Sequence, residues 1–129
     1  MTVAGLVAAL ILAALAAPAS AQNIVVDVPL GARGSERVLF AGPANPPASL
    51  MMLAGGDGIV GIDDSGAIGS LAGNFLIRTK SLWLAQSFEV VILGSPNGTS
   101  LNGKRHTPAY AAAIGRAVDF AQTRANGPI

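Results

Sequence analysis

An α/β fold is predicted by three features of the chain. Short β-branched or aliphatic runs recur along it, a capped amphipathic helix lies near its carboxyl end, and strands and helices follow in the order β-β-β-α-β-α. Helical crossovers of this kind pack on a parallel sheet in a right-handed sense. At 129 residues the chain is one domain at most.

The amino-terminal segment is set apart from that pattern. Residues 3–17 are almost wholly aliphatic and are followed by Ala19 and Ala21, the small residues of an A-x-A cleavage site. A bilayer span needs about 20 apolar residues, so this shorter run reads as an export signal over residues 1–21. It departs from the usual pattern in having no Lys or Arg ahead of its apolar core. The expectation is a periplasmic or secreted protein, with its domain at residues 22–129 and no stable membrane span once the signal is removed. With no cysteine, the domain must be held by packing and not by disulfides. The formal net charge is +1, and the eight basic residues are scattered from Arg33 to Arg124 without a cluster. Nucleic acid is therefore not an expected partner. The positive mean hydropathy owes much to the leader and to alanine, so it does not indicate a membrane protein.

Each element of the domain has its own local warrant. Residues 24–28 are short and β-branched, and residues 37–40 follow after a turn spanning Gly31 to Gly34; both read as strands. Pro43, Pro46 and Pro47 then remove backbone donors, as suits a connection at a sheet's edge. Residues 50–53, Leu-Met-Met-Leu, are apolar without interruption, which predicts a strand buried on both faces at the centre of a covered sheet. A long loop occupies residues 59–73, and Asn74 caps a helix over residues 75–86. Trp83 and Phe88 read as core residues. Residues 89–94 form an apolar strand closed by glycine, and a second loop covers residues 95–106. Thr107 as N-cap and Pro108 at the first helical position open the last helix. Its apolar stripe runs through Tyr110, Ile114, Ala117, Val118 and Ala121. Asn126, Gly127 and Pro128 stop it, and Ile129 reads as the first residue of another strand.

The most informative local feature is the junction where residues 50–53 run straight into Gly55, Gly56, Asp57 and Gly58. A strand that ends in glycines can present bare backbone N–H groups to an anion, which is how an oxyanion hole is built. Glycines after a strand can also simply reverse the chain. The run from Gly56 to Gly61 formally satisfies G-x-G-x-x-G, but a dinucleotide site needs a helix to begin there. The glycines and aspartates of residues 62–73 would not sustain one.

Context favours the anion reading. Arg37 to Phe40, Pro43 to Pro46, Leu50 to Gly58, Gly73 to Thr79 and Arg105 to Tyr110 together resemble exported bacterial proteins of the α/β-hydrolase fold, over nearly all of residues 22–129. The resemblance implies a serine hydrolase of the esterase type, with a small-molecule ester or acyl substrate and no cofactor. It also implies that the next segment would be an apolar strand leading to a Gly-x-Ser-x-Gly nucleophile elbow, followed by an acid and a histidine. No Gly-x-Ser-x-Gly occurs in the chain, and no histidine stands where the catalytic base would. The expectation is thus the amino-terminal portion of an α/β-hydrolase sheet, truncated before the nucleophile strand and inactive alone. A separately encoded second half could complement it. The alternative is a non-catalytic periplasmic binding or accessory protein.

Other chemistry-bearing residues are weaker candidates. His106, the only histidine, falls in the loop after residues 89–94, on the rim where ligand crevices occur, and is a candidate to touch substrate there. It precedes its helix, so it is not placed as a general base. Ser95, Ser100 and Asp119 do not form a triad with it by spacing, and Asp119 reads as a solvated partner of Arg116. Asp57, Asp63 and Asp64 lack the alternate-residue spacing of a calcium loop, and no metal site is expected. Asn97, Gly98 and Thr99 form a glycosylation acceptor in pattern only.

Overall fold

A computed structural model describes residues 21–125 and 127–129; all but the last residue of the expected export signal lies outside them. The domain is α/β, a four-stranded mixed sheet with helices on both faces. β1 (Gln22–Pro29) and β2 (Ser35–Gly42) form an antiparallel hairpin joined by a single 3-10 turn at Gly31–Arg33. β3 (Ser49–Leu53) and β4 (Glu89–Pro96) are parallel, and β4 pairs antiparallel with β2, giving the order β1-β2-β4-β3.

The apolar run of β3 does not mark the middle of the sheet. β4 is flanked on both sides by strands, while β3 lies at the edge with Leu50, Met51 and Leu53 only half-buried. An unbroken apolar run reports that both faces are covered and says nothing of the edge, because edge position concerns hydrogen bonds and not side chains.

Alternation along the strands sorts the core into two layers. On one face, Val38, Phe40, Val91 and Leu93 meet Ala117 and Ala121 of α3 (Pro108–Gln122), which crosses β4 and β1. The small alanines let the helix approach the sheet closely, and Phe120 fills the margin with its ring 5.3 Å from that of Phe40. The other face buries Leu39, Ala41, Met52, Val90 and Ile92 under Val60, Ile62 and Ile77. Glycine is required at two points in the sheet, and at the first of them a Cβ on Gly42 would lie 2.7 Å from the Glu89 Cα. A Cβ on Gly94 would lie 2.7 Å from the Arg37 carbonyl oxygen, beside the register shift between Glu36 and Val38.

The helix expected over residues 75–86 is two short ones, α1 (Phe75–Arg78) and α2 (Lys80–Leu84). Asn74 does cap α1, accepting from the Leu76 N–H at 3.1 Å. The break falls at Thr79, whose hydroxyl donates to the Leu76 carbonyl at 2.8 Å and competes with the helical ladder. This segment is also less buried than its composition suggests: Trp83 is 41% exposed, and Phe75 and Leu82 are each 65% exposed. Trp83 is thus a surface residue in edge contact with half-buried Phe88, not a core residue.

Candidate functional site

Parallel β3 and β4 both end at the same rim of the sheet, and the loops that leave them meet there. After Leu53 the chain enters a turn in which the Gly58 N–H donates to the Gly55 carbonyl at 3.3 Å. Gly56 and Gly58 hold φ of +64° and +76°, the left-handed region that costs other residues energy and glycine little. A side chain on Gly58 would also run into Leu101.

The carbonyls from Ala54 to Asp57 are all engaged. Arg105 reaches over from the loop before α3 and donates one guanidinium nitrogen to the carbonyls of Ala54 and Gly56, each at 2.9 Å. The Asp57 carbonyl accepts from the Leu101 N–H at 2.7 Å, and the Asp57 carboxylate accepts from the Ile59 N–H at 3.0 Å. Among the described residues, no partner is present for the N–H groups of Gly55, Gly56 and Asp57. Three consecutive free donors resemble the backbone nests that hold anions, with the Arg105 guanidinium and the Asp57 carboxylate both in the same turn. In the sequence Arg105 stands out only as the first residue of the Arg105 to Tyr110 stretch, and nothing local gives its contact with the turn.

A cavity of about 250 Å³ lies next to this turn on the same rim, and Leu101 separates the two. Leu30, Pro96 and Leu101 line it together with Tyr110 and Ala113 from α3. Behind it, Glu36 and Ser95 are buried with no hydrogen-bond partner for either carboxylate oxygen or for the hydroxyl. Burial raises the Glu36 pKa from 4.5 to about 7. The Tyr110 hydroxyl is also pushed up by burial, with Arg105 opposing and Glu36 reinforcing that shift. Glu36 is in phase with Val38 and Phe40, so strand alternation alone placed it on the buried face; the sequence reading began the strand one residue too late to see it.

The remaining candidates are dispersed. His106 is exposed in the loop before α3 and does not line the cavity. Ser100 donates no bond to it; its hydroxyl accepts from the Asn102 N–H. Asp119 is exposed on α3 and makes no ion pair with Arg116. Asp63 folds its own loop, accepting from the N–H groups of Ser65 and Ala67 and the Ser65 hydroxyl, and these bonds hold its carboxyl below the usual range. Asp64 pairs with Arg37 at 2.7 Å, which ties that loop to β2. The Asn97 amide is occupied in bridging the Arg33 carbonyl and the Ser35 N–H, locking the end of β4 to the hairpin.

At the opposite end of β4, Glu89 is buried with its carboxylate shared between the Ser49 hydroxyl at 2.8 Å and Arg124 at 3.6 Å. Arg124 also lies over the Phe40 ring at 5.0 Å. This second buried carboxylate is paired and anchors the end of α3 to the sheet. Comparison with known proteins finds no matching family model, curated protein or solved structure.

Proposed function

We propose that the chain is an α/β-hydrolase-fold protein of the serine-esterase type, exported to the periplasm or beyond, in which Gly55 to Gly58 form an oxyanion-type loop. The observation that carries this reading is the asymmetry of the turn. Its carbonyls from Ala54 to Asp57 are drawn away by Arg105, Leu101 and Gly58, while the N–H groups of Gly55, Gly56 and Asp57 are left to meet an external acceptor. Such donors stabilise the negative oxygen of a tetrahedral intermediate without needing to reorganise. Their position at the carboxyl end of a parallel strand suits an ester or acyl substrate.

The sheet supports the same reading from another direction. After α3 the chain returns to the open edge of β3, where the Ser49 N–H donates to the Pro128 carbonyl at 3.0 Å. That is where a further strand leading to a nucleophile elbow would be laid. With no such elbow among its 129 residues, the chain is expected not to hydrolyse a p-nitrophenyl ester faster than buffer. Turnover by this chain alone, abolished by Gly56→Pro, would contradict the account. Co-expression with a carboxyl-terminal half bearing Gly-x-Ser-x-Gly should restore turnover, and the same substitution should remove it again.

A second reading, a binding or accessory protein without chemistry, is favoured by one observation: the cavity beside the loop is lined by Leu30, Pro96, Leu101, Tyr110 and Ala113 and by none of the residues Gly55 to Gly58. Saturable binding of a ligand that leaves the amides of Gly55 to Asp57 undisturbed would support it.

A further inference from the structure

The cavity has a sharply divided lining. Its buried lining is apolar, with Leu101, Tyr110 and Ala113 buried and Leu30 and Pro96 half-buried, and half-buried Thr107 and exposed Asn97 and Thr99 add polar groups. At its opening stand three exposed cations from three different elements: Arg33 from the turn of the hairpin, Lys104 from the loop before α3, and Arg116 from α3. No Asp or Glu lines the cavity, and none of the three cations has an acidic partner among the described residues. Three like charges gathered around an apolar hollow repel one another, and the potential they create is relieved by a bound anion. An arginine fork suits the two oxygens of a carboxylate in particular.

Size narrows the class further. The cavity volume is about 250 Å³. It falls below the roughly 300–1,000 Å³ of sites for drug-sized ligands. We propose that this cavity binds a small amphiphilic monocarboxylate, with its apolar tail between Leu30, Leu101 and Tyr110 and its carboxylate held by Arg33, Lys104 and Arg116. None of Gly55, Gly56, Asp57 or Gly58 lines the cavity, so the inference stands apart from the acyl-transfer reading.

Tyr110 is the only tyrosine in the chain, so its ring resonances report on the cavity alone. The full chain is titrated with hexanoate, benzoate, hexanol, hexylammonium and acetate while those resonances are followed by NMR. Hexanoate or benzoate should shift them saturably, and whichever binds more tightly identifies an aliphatic or an aromatic tail. Hexanol and acetate should bind roughly tenfold more weakly or worse, each lacking one half of the recognition, and hexylammonium should not bind. The double variant Lys104→Glu, Arg116→Glu should lose about tenfold in affinity for the acid with its melting temperature unchanged, since both side chains are exposed. Ala112→Trp, at an exposed position on the cavity wall, should block the acid without unfolding the chain. Equal binding of hexanol and hexanoate, an undiminished affinity in the double variant, or no saturation by either acid would overturn the proposal.

Discussion

At the scale of single residues, the two buried glutamates behave differently because one is paired and the other is not. Glu36 has no partner, and its pKa of about 7 in the folded state lies above the ordinary 4.5. The folded chain therefore holds a proton that the unfolded chain has released between those values, and stability falls as pH rises through that window. The loss approaches about 3 kcal/mol above pH 7, from the size of the shift. Glu36→Gln should abolish this slope and stabilise the protein at alkaline pH; urea unfolding of both proteins across the window measures it. A parallel slope in the variant would mean that another group is responsible. Glu89, by contrast, is satisfied by Ser49 and Arg124. Arg124→Ala should cost about 2 kcal/mol in the same assay, less than the 3–5 of a fully broken buried pair, because the Ser49 bond survives. Neither burial was legible from composition, since a carboxylate at a strand end looks like a solvated terminus. The one available signal was alternation, which places Glu36 with Val38 and Glu89 with Val91.

Arg105 is a residue-scale determinant of the site. Removing it in Arg105→Ala frees the carbonyls of Ala54 and Gly56 and should destabilise the turn by about 1–2 kcal/mol, as expected for charged hydrogen bonds that are partly solvated. Amide exchange at Gly58 and Ile59, the donors inside the turn, should quicken in that variant. The contact of Arg105 with the turn is not legible in the sequence because it joins residues about fifty positions apart, and no local pattern encodes it.

At the scale of elements, α3 was the most legible because its signals are local and agree. Thr107 accepts from the Tyr110 N–H and donates to the Lys104 carbonyl, Pro108 opens the helix, and the buried positions follow the helical period. Thr107→Ala should lower stability by about 1 kcal/mol, read from thermal unfolding. The stripe differed in detail: Ala113 is buried where Ile114 and Val118 are only half-buried, since the sheet admits small residues at the closest approach. The segment at residues 75–86 was misread as one helix because Thr79, whose back-bond ends α1, looks like any other helix position. The strand identities of β1 to β4 were also legible, but the edge position of β3 was not. Beyond Ser49, the donors of Met51 and Leu53 point to the same open edge by the period of two. They should exchange with solvent much faster than those of Val91 and Leu93 in central β4. Comparable protection would show that the edge is covered.

At the scale of the whole molecule, the α/β class followed from the alternation of elements, and both faces of the sheet are covered as that class requires. What the sequence could not supply was the division of the rim. A donor-rich turn and an apolar cavity lie side by side there, divided by Leu101, and His106, the candidate nearest in sequence, belongs to neither. Phe75, Leu82 and Trp83 are exposed, and β3 stands at the edge of the sheet.

The central claim is that the amides of Gly55, Gly56 and Asp57 are unpaired and available to an anionic oxygen. Backbone amide NMR of the full chain, with and without methylphosphonate as an oxyanion probe, tests it most directly. These three amides should exchange almost unprotected and shift together on titration, while Gly58, already bonded to the Gly55 carbonyl, should be protected and move little. Protected, unresponsive amides at Gly55 to Asp57 would contradict it.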